Sequence, residues 1–381
     1  MTPRILLSCG EASGDLYAGA LTRELRTLRP DIDVAGRAGP EFERAGGRLL
    51  ADYRGLAVTG FAEIVSKVPQ LLTAKRRLVD AARQERPHAL VVIDYFGFNV
   101  RLARGIKELG IPVIYYVSPQ IWAWRPGRIK ALREIADRML VIFPFEEAIY
   151  RDAGVPVEFV GHPLIDLARS DVSRADFLGG LGLDPSSPTI AVLPGSRPSE
   201  LRRILPTLVE AARRIRVALP AAQFVVARAP HLDDRLFELV SGAGGFAMVE
   251  GRTDTVLAAA DLALTASGTA TVQTALHDVP MVVVYRVSAL EYRLGRRFVK
   301  LDTFAMVNLI AGERIVPELI QDEFTPQRVA SEAIDIVSDP QRSARIRAGL
   351  ADVRRKLGGA GASRRAAESI LKVVEERCGT A

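Results

Sequence analysis

Cysteine is nearly absent: the 381 residues hold two, Cys9 and Cys378, near opposite ends of the chain. That number and placement exclude a disulfide framework and a cysteine-rich zinc site. Histidine is also sparse. His88, His162, His231 and His277 are scattered without metal-ligand spacing. No run of about 18 uninterrupted apolar residues occurs, so no bilayer-spanning helix is expected. The opening MTPRILLSCGEASGD has only the short apolar run Ile5-Leu6-Leu7, with acidic residues close behind. It does not read as a signal peptide, and a soluble or peripheral protein of the reducing cytoplasm is expected. There is no G-x-G-x-x-G and no Gly-Lys-Ser/Thr loop, so a dinucleotide dehydrogenase is poorly supported. Zinc knuckles, RNP motifs and long Lys/Arg blocks are missing too, and no nucleic-acid partner is expected.

What is present is ordinary globular material, 48% hydrophobic and 25% charged, in a chain too long for one typical core. Two domains are the default. The net charge of +6 favours anionic partners, and nucleotide-sugar phosphates and lipid headgroups fit best.

Short apolar runs alternate with longer amphipathic ones. Strands are predicted at Arg4–Cys9, Asp33–Arg37, Ala89–Asp94, Pro112–Val117 and Arg138–Phe143, with helices such as Leu16–Leu28 and Val100–Leu109 between them. The second half repeats the scheme: strands at Thr189–Leu193, Gln223–Ala227, Ala247–Val249, Leu262–Thr265 and Met281–Val284, helices at Ser199–Ala218 and Thr269–His277. Continuous apolar strands alternating with helices imply parallel sheets covered on both faces. The proline- and serine-rich stretch ending in Asp184-Pro185-Ser186-Ser187-Pro188 reads as a connection, with the boundary near residues 165–187. The domains expected are 1–170, 186–340 and a helical tail, 341–381, packing back on the first domain.

Each chemical motif follows a strand. Gly10-Glu11-Ala12-Ser13-Gly14-Asp15 opens a helix, where backbone approaches a ligand closely and the helix N-terminus favours anions. A plain turn capped by Ser13 or Asp15 is the alternative. Asp94 closes the strand Leu90–Ile93, on the end where open parallel sheets bind ligands. It is placed as a general base, or else as the N-cap of the next helix. The run Tyr95-Phe96-Gly97-Phe98-Asn99 adds apolar surface beside it, a surrounding that sharpens proton abstraction. Both tryptophans, Trp122 and Trp124, sit in one strand-end loop, reading as a sugar-stacking or acyl wall or as loop packing.

Pro194-Gly195-Ser196-Arg197 follows the strand at 189–193. Arg197 offers a fork of donors for a phosphate, or is a surface arginine beside a turn. Ser267-Gly268-Thr269-Ala270-Thr271 opens another helix with small hydroxyl residues suited to a diphosphate, capping without a ligand being the alternative. Phe61, Ile64, Val65, Val68, Leu71 and Leu72 recur at helical spacing among Lys67, Lys75, Arg76 and Arg77. They read as a helix lying on anionic lipid, or as a core-facing helix with a basic outer side. Asp31-Ile32-Asp33 is formally D-x-D, but it precedes a strand, the wrong end for a site, and is read as a loop.

Together these blocks resemble the lipid A disaccharide synthase family. The matching stretches are GEASGD at 10–15, VIDYFGFN at 92–99, YYVSPQIWAWRPGR at 115–128, PFE at 144–146, FVGHPL at 159–164, LPGSR at 193–197, SGTAT at 267–271 and NLIAGERIVPELIQ at 308–321. The resemblance implies a GT-B architecture, two Rossmann-like domains with parallel sheets facing across a cleft. It implies an inverting transfer without metal or other cofactor. UDP-2,3-diacylglucosamine would be donor, bound mainly by the second domain, and 2,3-diacylglucosamine 1-phosphate (lipid X) the acceptor, at the cytoplasmic face of the inner membrane. By the same likeness Asp94 matches a catalytic base, and Glu11 and Ser13 lie in the active-site loop. Gly195, Ser196, Arg197, Ser267, Gly268, Thr269, Gln273 and Asn308 fall on the UDP-sugar side. Trp122, Trp124, Val65, Val68, Leu71 and Leu72 fall on the acceptor and membrane side. A homodimer with exchanged C-terminal segments is implied as well.

Two positions depart from the family pattern. Gln273 stands where a glutamate usually follows SGTAT, so a carboxylate gripping both ribose hydroxyls becomes an amide, one acceptor and one donor group. Met306-Val307-Asn308 stands where Leu-Pro-Asn is common. The rivals are a UDP-GlcNAc 2-epimerase or peptidoglycan glycosyltransferase of the same architecture, and a non-catalytic nucleotide- or lipid-binding regulator.

Overall fold

The computed structural model describes residues 2–54, 61–121, 126–230, 232–241, 245–288 and 303–378, and their side chains save those of 61–66, 126, 377 and 378. The chain forms two compact units: residues 1–163 with 357–381, and residues 164–356.

The first unit is built on seven parallel strands. They are β1 (Arg4–Ser8), β2 (Asp33–Ala38), β3 (Arg48–Asp52), β4 (Ala89–Ile93), β5 (Val113–Tyr116), β6 (Arg138–Val141) and β7 (Val157–Phe159), in the order β3-β2-β1-β4-β5-β6-β7. The second unit has six: β8 (Thr189–Leu193), β9 (Gln223–Arg228), β10 (Phe246–Glu250), β11 (Leu262–Ala266), β12 (Met281–Tyr285) and β13 (Glu318–Ile320), in the order β10-β9-β8-β11-β12-β13. Both orders are Rossmann-like. The inner strands Ala89–Ile93, Thr189–Leu193 and Leu262–Ala266 are buried at every position, because helices cover both faces.

The strand order of each sheet reverses once, between β1 and β4 in the first and between β8 and β11 in the second. At such a switch point the loops leaving the strand tips diverge and open a crevice. The register Leu7↔Val91 and Ser8↔Val92 brings the chain after β1 beside the chain after β4. Likewise Val192↔Leu264 and Leu193↔Thr265 bring the LPGSR turn beside SGTAT.

Three strands escaped the sequence reading: β3, β7 and β13, each an edge strand. Edge strands are short and half solvated, so the continuous apolar run that marks a central strand is lacking. The boundary also differs. Residues 164–187 belong to the second unit because Arg174, on the helix Arg174–Gly180, donates to the carbonyls of Ala259, Pro185 and Ser187 and to both carboxylate oxygens of Asp261. The tail that joins the first unit starts at Leu357, not at 341. Its helix Ala362–Cys378 buries Ala366, Ala367, Ile370 and Val374 at helical spacing. Burying Ile370 or Val374 contributes about 1.5–3 kcal/mol each, so this helix is part of the first unit's core. Among the described residues no helix is long and apolar enough to cross a membrane.

His162, in the Gly161-His162-Pro163 link, packs edge-on to Tyr17 with centroids 6.0 Å apart and against Phe143 at 5.4 Å. Burial pushes its imidazole down from 6.5 to about 3. The unfolded chain therefore takes up the proton first as pH falls. His162's contribution to stability is full above pH 6.5 and is lost progressively toward pH 3. At pH 5 the loss is about 2 kcal/mol. Denaturant titrations at pH 7 and pH 5 should differ by that much less in His162→Gln; an unchanged difference would remove His162 from the acid response.

Candidate active site

Asp94 stands at the tip of β4, exposed, with φ +44°. Tyr95 follows at φ +47°, so two consecutive non-glycine residues are left-handed, a conformation that the surroundings must impose. They do so through main-chain atoms. The Asp94 amide donates to Val117 O at 3.1 Å. Its carbonyl accepts from Tyr115 Oη at 2.6 Å and Asn99 Nδ2 at 2.8 Å. Asn99 is fully buried and also reaches the carbonyls of Ile93 and Ser8, while Ser8 Oγ donates to Asn99 Oδ1. Asn99 thus ties the ends of β1 and β4 together and holds the carboxylate outward. The helix Phe96–Lys107 is capped by Tyr95, with no capping side chain, so Asp94 is not its N-cap.

The apolar surroundings expected from Tyr95–Asn99 do not enclose Asp94. Phe98 and Tyr95 turn toward the buried Arg37, whose guanidinium carbon lies 4.6 and 5.1 Å from their ring centroids. Arg37 also donates to Cys9 O at 2.7 Å. The Tyr95 ring lies flat on Gly10: a Cβ there would sit 2.1 Å from Tyr95 Cγ. That contact explains the first glycine of GEASGD and brings the neighbour of Asp94 against the neighbour of Glu11.

Glu11 is the N-cap of the helix Ala12–Leu28, in extended conformation and half-buried; Ser13 lies in the first turn, half-buried. Neither Ser13 nor Asp15 caps this helix. Asp15 is buried and accepts instead from the amides of Gly39 (2.8 Å), Glu41 (3.0 Å) and Phe42 (3.2 Å), serving the short helix Pro40–Arg44. Cys9 is fully buried, which pushes its thiol far above the usual range, so it is no nucleophile. Asp31 and Asp33 pair with Arg29 and Arg48 at the opposite end of β2.

In the second unit, Gly195 has φ +112° and Arg197 begins the helix Pro198–Ala218. Arg197 contacts Glu200 at 3.3 Å, and the other oxygen of Glu200 accepts from Ser196 N at 3.2 Å. A guanidinium has five donors, so this contact orients Arg197 without exhausting it. Gly268, φ +150°, is the N-cap of the helix Thr269–Leu276, and no side chain caps it. A helix N-terminus favours anions; here the Thr271 amide donates to Gly268 O at 3.0 Å within the turn. Thr269 is exposed there; Ser267 turns inward, its Oγ donating to Phe304 O at 3.2 Å. Gln273 is half-buried on the same helix.

Asn308 requires a correction. It is buried, and every polar atom of its side chain is engaged within the protein. Nδ2 donates to Val316 O (3.0 Å) and Glu318 Oε1 (2.6 Å); Oδ1 accepts from the amides of Ile315 and Val316. It is a brace, not a nucleotide contact. Glu318 in turn accepts from the amides of Phe304 and Ala305, and Phe304 receives Ser267. Asn308 acts on the SGTAT turn through that chain of contacts.

On the helix Phe61–Glu85, Val68 and Leu72 are 41% and 49% exposed and Leu71 is half-buried, with Arg76 and Arg77 exposed beyond them. The side chain of Val65 and all of Trp122 and Trp124 lie outside the described residues. Among the described residues no three His, Cys, Asp or Glu side chains gather as a metal site requires.

The family described as lipid-A-disaccharide synthetase matches residues 5–374. A lipid-A-disaccharide synthase from Anaeromyxobacter sp. (strain K) is 46% identical over 378 residues, 98% of each chain. The one from Myxococcus xanthus (strain DK1622) is 43% identical over 374 residues, again 98% of each. Among solved structures, a Neisseria meningitidis UDP-GlcNAc 2-epimerase bound to UDP-GlcNAc superposes with TM-score 0.72 at 12% identity, covering 98% of this chain and all of that one. That last likeness shows the GT-B fold alone.

Proposed function

The chain belongs to the lipid-A-disaccharide synthetase family of glycosyltransferases, and on that premise we propose that it joins UDP-2,3-diacylglucosamine to lipid X, giving the tetraacyl disaccharide 1-phosphate and UDP. The observation that carries the chemistry is an exposed carboxylate fixed at a sheet's switch point by its own main chain.

Asp94 takes the proton from the 6-hydroxyl of lipid X as that oxygen attacks the donor's anomeric carbon. The bond from that carbon to UDP breaks, and UDP leaves with the electron pair. The charge gathering on the diphosphate is met by Arg197 and by the amides opening the helix Thr269–Leu276, fixed donors that act without reorganising. One attack from the face opposite UDP inverts the centre and forms a β-1′,6 linkage. Glu11 and Ser13 lie in the turn beside Asp94 and contact the acceptor. Gly195 and Ser196 shape the turn that aims Arg197.

UDP release measured with both lipids present, with each lipid alone, and with UDP-GlcNAc as donor tests this reading. Release should need both lipids. Equal release without lipid X, or turnover of UDP-GlcNAc to its epimer, would replace it.

The exposed Val68 and Leu72, with the arginines beyond them, support a peripheral position on anionic lipid at the cytoplasmic face of the inner membrane. Val68→Asp/Leu72→Asp should then lower co-sedimentation with phosphatidylglycerol vesicles several-fold; undiminished sedimentation would exclude this face. A homodimer completes the reading, and a monomer's mass by analytical ultracentrifugation would exclude it.

A further inference from the structure

Gln273 does not stand alone. Its Nε2 donates to Asp254 Oδ1 at 2.8 Å, and His277 Nε2 meets the same oxygen at 2.8 Å. Asp254 comes from the helix Thr253–Ala258, which follows β10, while Gln273 lies in the helix Thr269–Leu276 and His277 at its C-terminal end. The side chain of His277 is only 9% exposed and that of Asp254 27%, so the cluster is largely shielded from water.

An ionised carboxylate has no proton to give. The group of Gln273 facing Asp254 is therefore its NH2, and the carbonyl Oε1 faces away. An unheld glutamine amide presents either end by flipping about its last torsion. Here the flipped form would set a carbonyl oxygen against a carboxylate, and His277 keeps that carboxylate from swinging aside. Gln273 follows Thr269 by four residues, on the same helical face and about 6 Å along the axis. That offset carries it from the diphosphate end of a bound nucleotide toward its sugar.

We propose that Asp254, held by His277, is a positioning residue that fixes Gln273 as a hydrogen-bond acceptor for a hydroxyl of the nucleotide ribose. The pair restores with two residues the acceptor that one glutamate would supply. The inference rests on the second unit being the UDP-sugar site. It makes Asp254 and Gln273 a matched set: exchanging either alone damages the arrangement, and exchanging both in opposite senses rebuilds it.

The test is calorimetric binding of UDP and 2′-deoxy-UDP to the full-length protein and its variants, with donor KM and kcat beside it. Wild type should favour UDP over 2′-deoxy-UDP by about five- to tenfold, the worth of one hydrogen bond. Asp254→Ala should lose most of that preference and raise the donor KM with kcat little changed; Asp254→Asn, which still accepts, should keep it. Gln273→Glu sets two carboxylates in contact and should weaken UDP binding about tenfold. Asp254→Asn/Gln273→Glu, in which the new amide donates to the new carboxylate, should return to within about threefold of wild type. Additive losses in the double variant, or UDP bound as tightly by Gln273→Glu as by wild type, would overturn the inference. Failure of the wild-type protein to bind UDP would instead overturn the reading of the second unit.

Discussion

Asp94→Asn should bind UDP normally and lose turnover by roughly 10²- to 10⁴-fold, the usual range for removing a general base. Asparagine is the informative replacement because position 94 is left-handed, φ +44°. Asparagine is enriched several-fold in that region, whereas alanine adds backbone strain to the loss of the carboxylate. The main-chain contacts of the residue, through its amide and carbonyl with Val117, Asn99 and Tyr115, survive the change. The variant should therefore keep its fold and its nucleotide site while losing the carboxylate that takes the proton. Steady-state kcat with both lipids, alongside UDP calorimetry, checks it. A kcat within a few-fold of wild type would assign the base elsewhere.

Gly268→Ala should weaken UDP binding roughly 5- to 150-fold, the equivalent of about 1–3 kcal/mol of backbone strain. At φ +150° and ψ −159° the residue lies where only glycine is comfortable. The cause is not a clash, since a Cβ at this position meets nothing within 4 Å. Open surroundings and a half-buried turn let the loop relax cheaply toward a conformation that alanine accepts. Relaxation turns the first amides of the helix Thr269–Leu276 away from the anion they would bind. The melting temperature should therefore fall little while affinity falls much. Unchanged UDP affinity would mean that this helix end does not hold the diphosphate.

The placement of the candidate site's motifs was largely legible because they share one position in the fold. Glu11, Asp94, Arg197 and Gly268 each follow an apolar run that could only be a central strand, and small residues mark the turns between. A parallel sheet brings such tips together at its switch point, so local patterns implied a global arrangement. What stayed hidden depends on partners far along the chain. Glu318 lies on β13, an edge strand of three residues without a pattern of its own. Nothing in the sequence therefore showed that Asn308 was already committed to it. Arg37 read as the last residue of a strand, and only the fold reveals it beneath Tyr95 and Phe98. Asp254 is 19 positions from Gln273, on another helix. In the sequence the departure at Gln273 read as an amide in place of a carboxylate, and only the fold shows that its NH2 is held by Asp254. The boundary between the units moved for a similar reason, since Arg174 draws the proline-rich connection onto the second unit through acceptors up to 87 positions away.

The mechanism stands on one oxygen being stripped of its proton and attacking once, from behind the departing UDP. The anomeric configuration of the purified product, read by proton NMR after reaction of both lipids in the presence of EDTA, tests it most directly. A β anomeric signal at the new 1′,6 linkage, with one UDP formed per disaccharide, is the expected result. An α linkage, or no disaccharide until a divalent cation is restored, would contradict it.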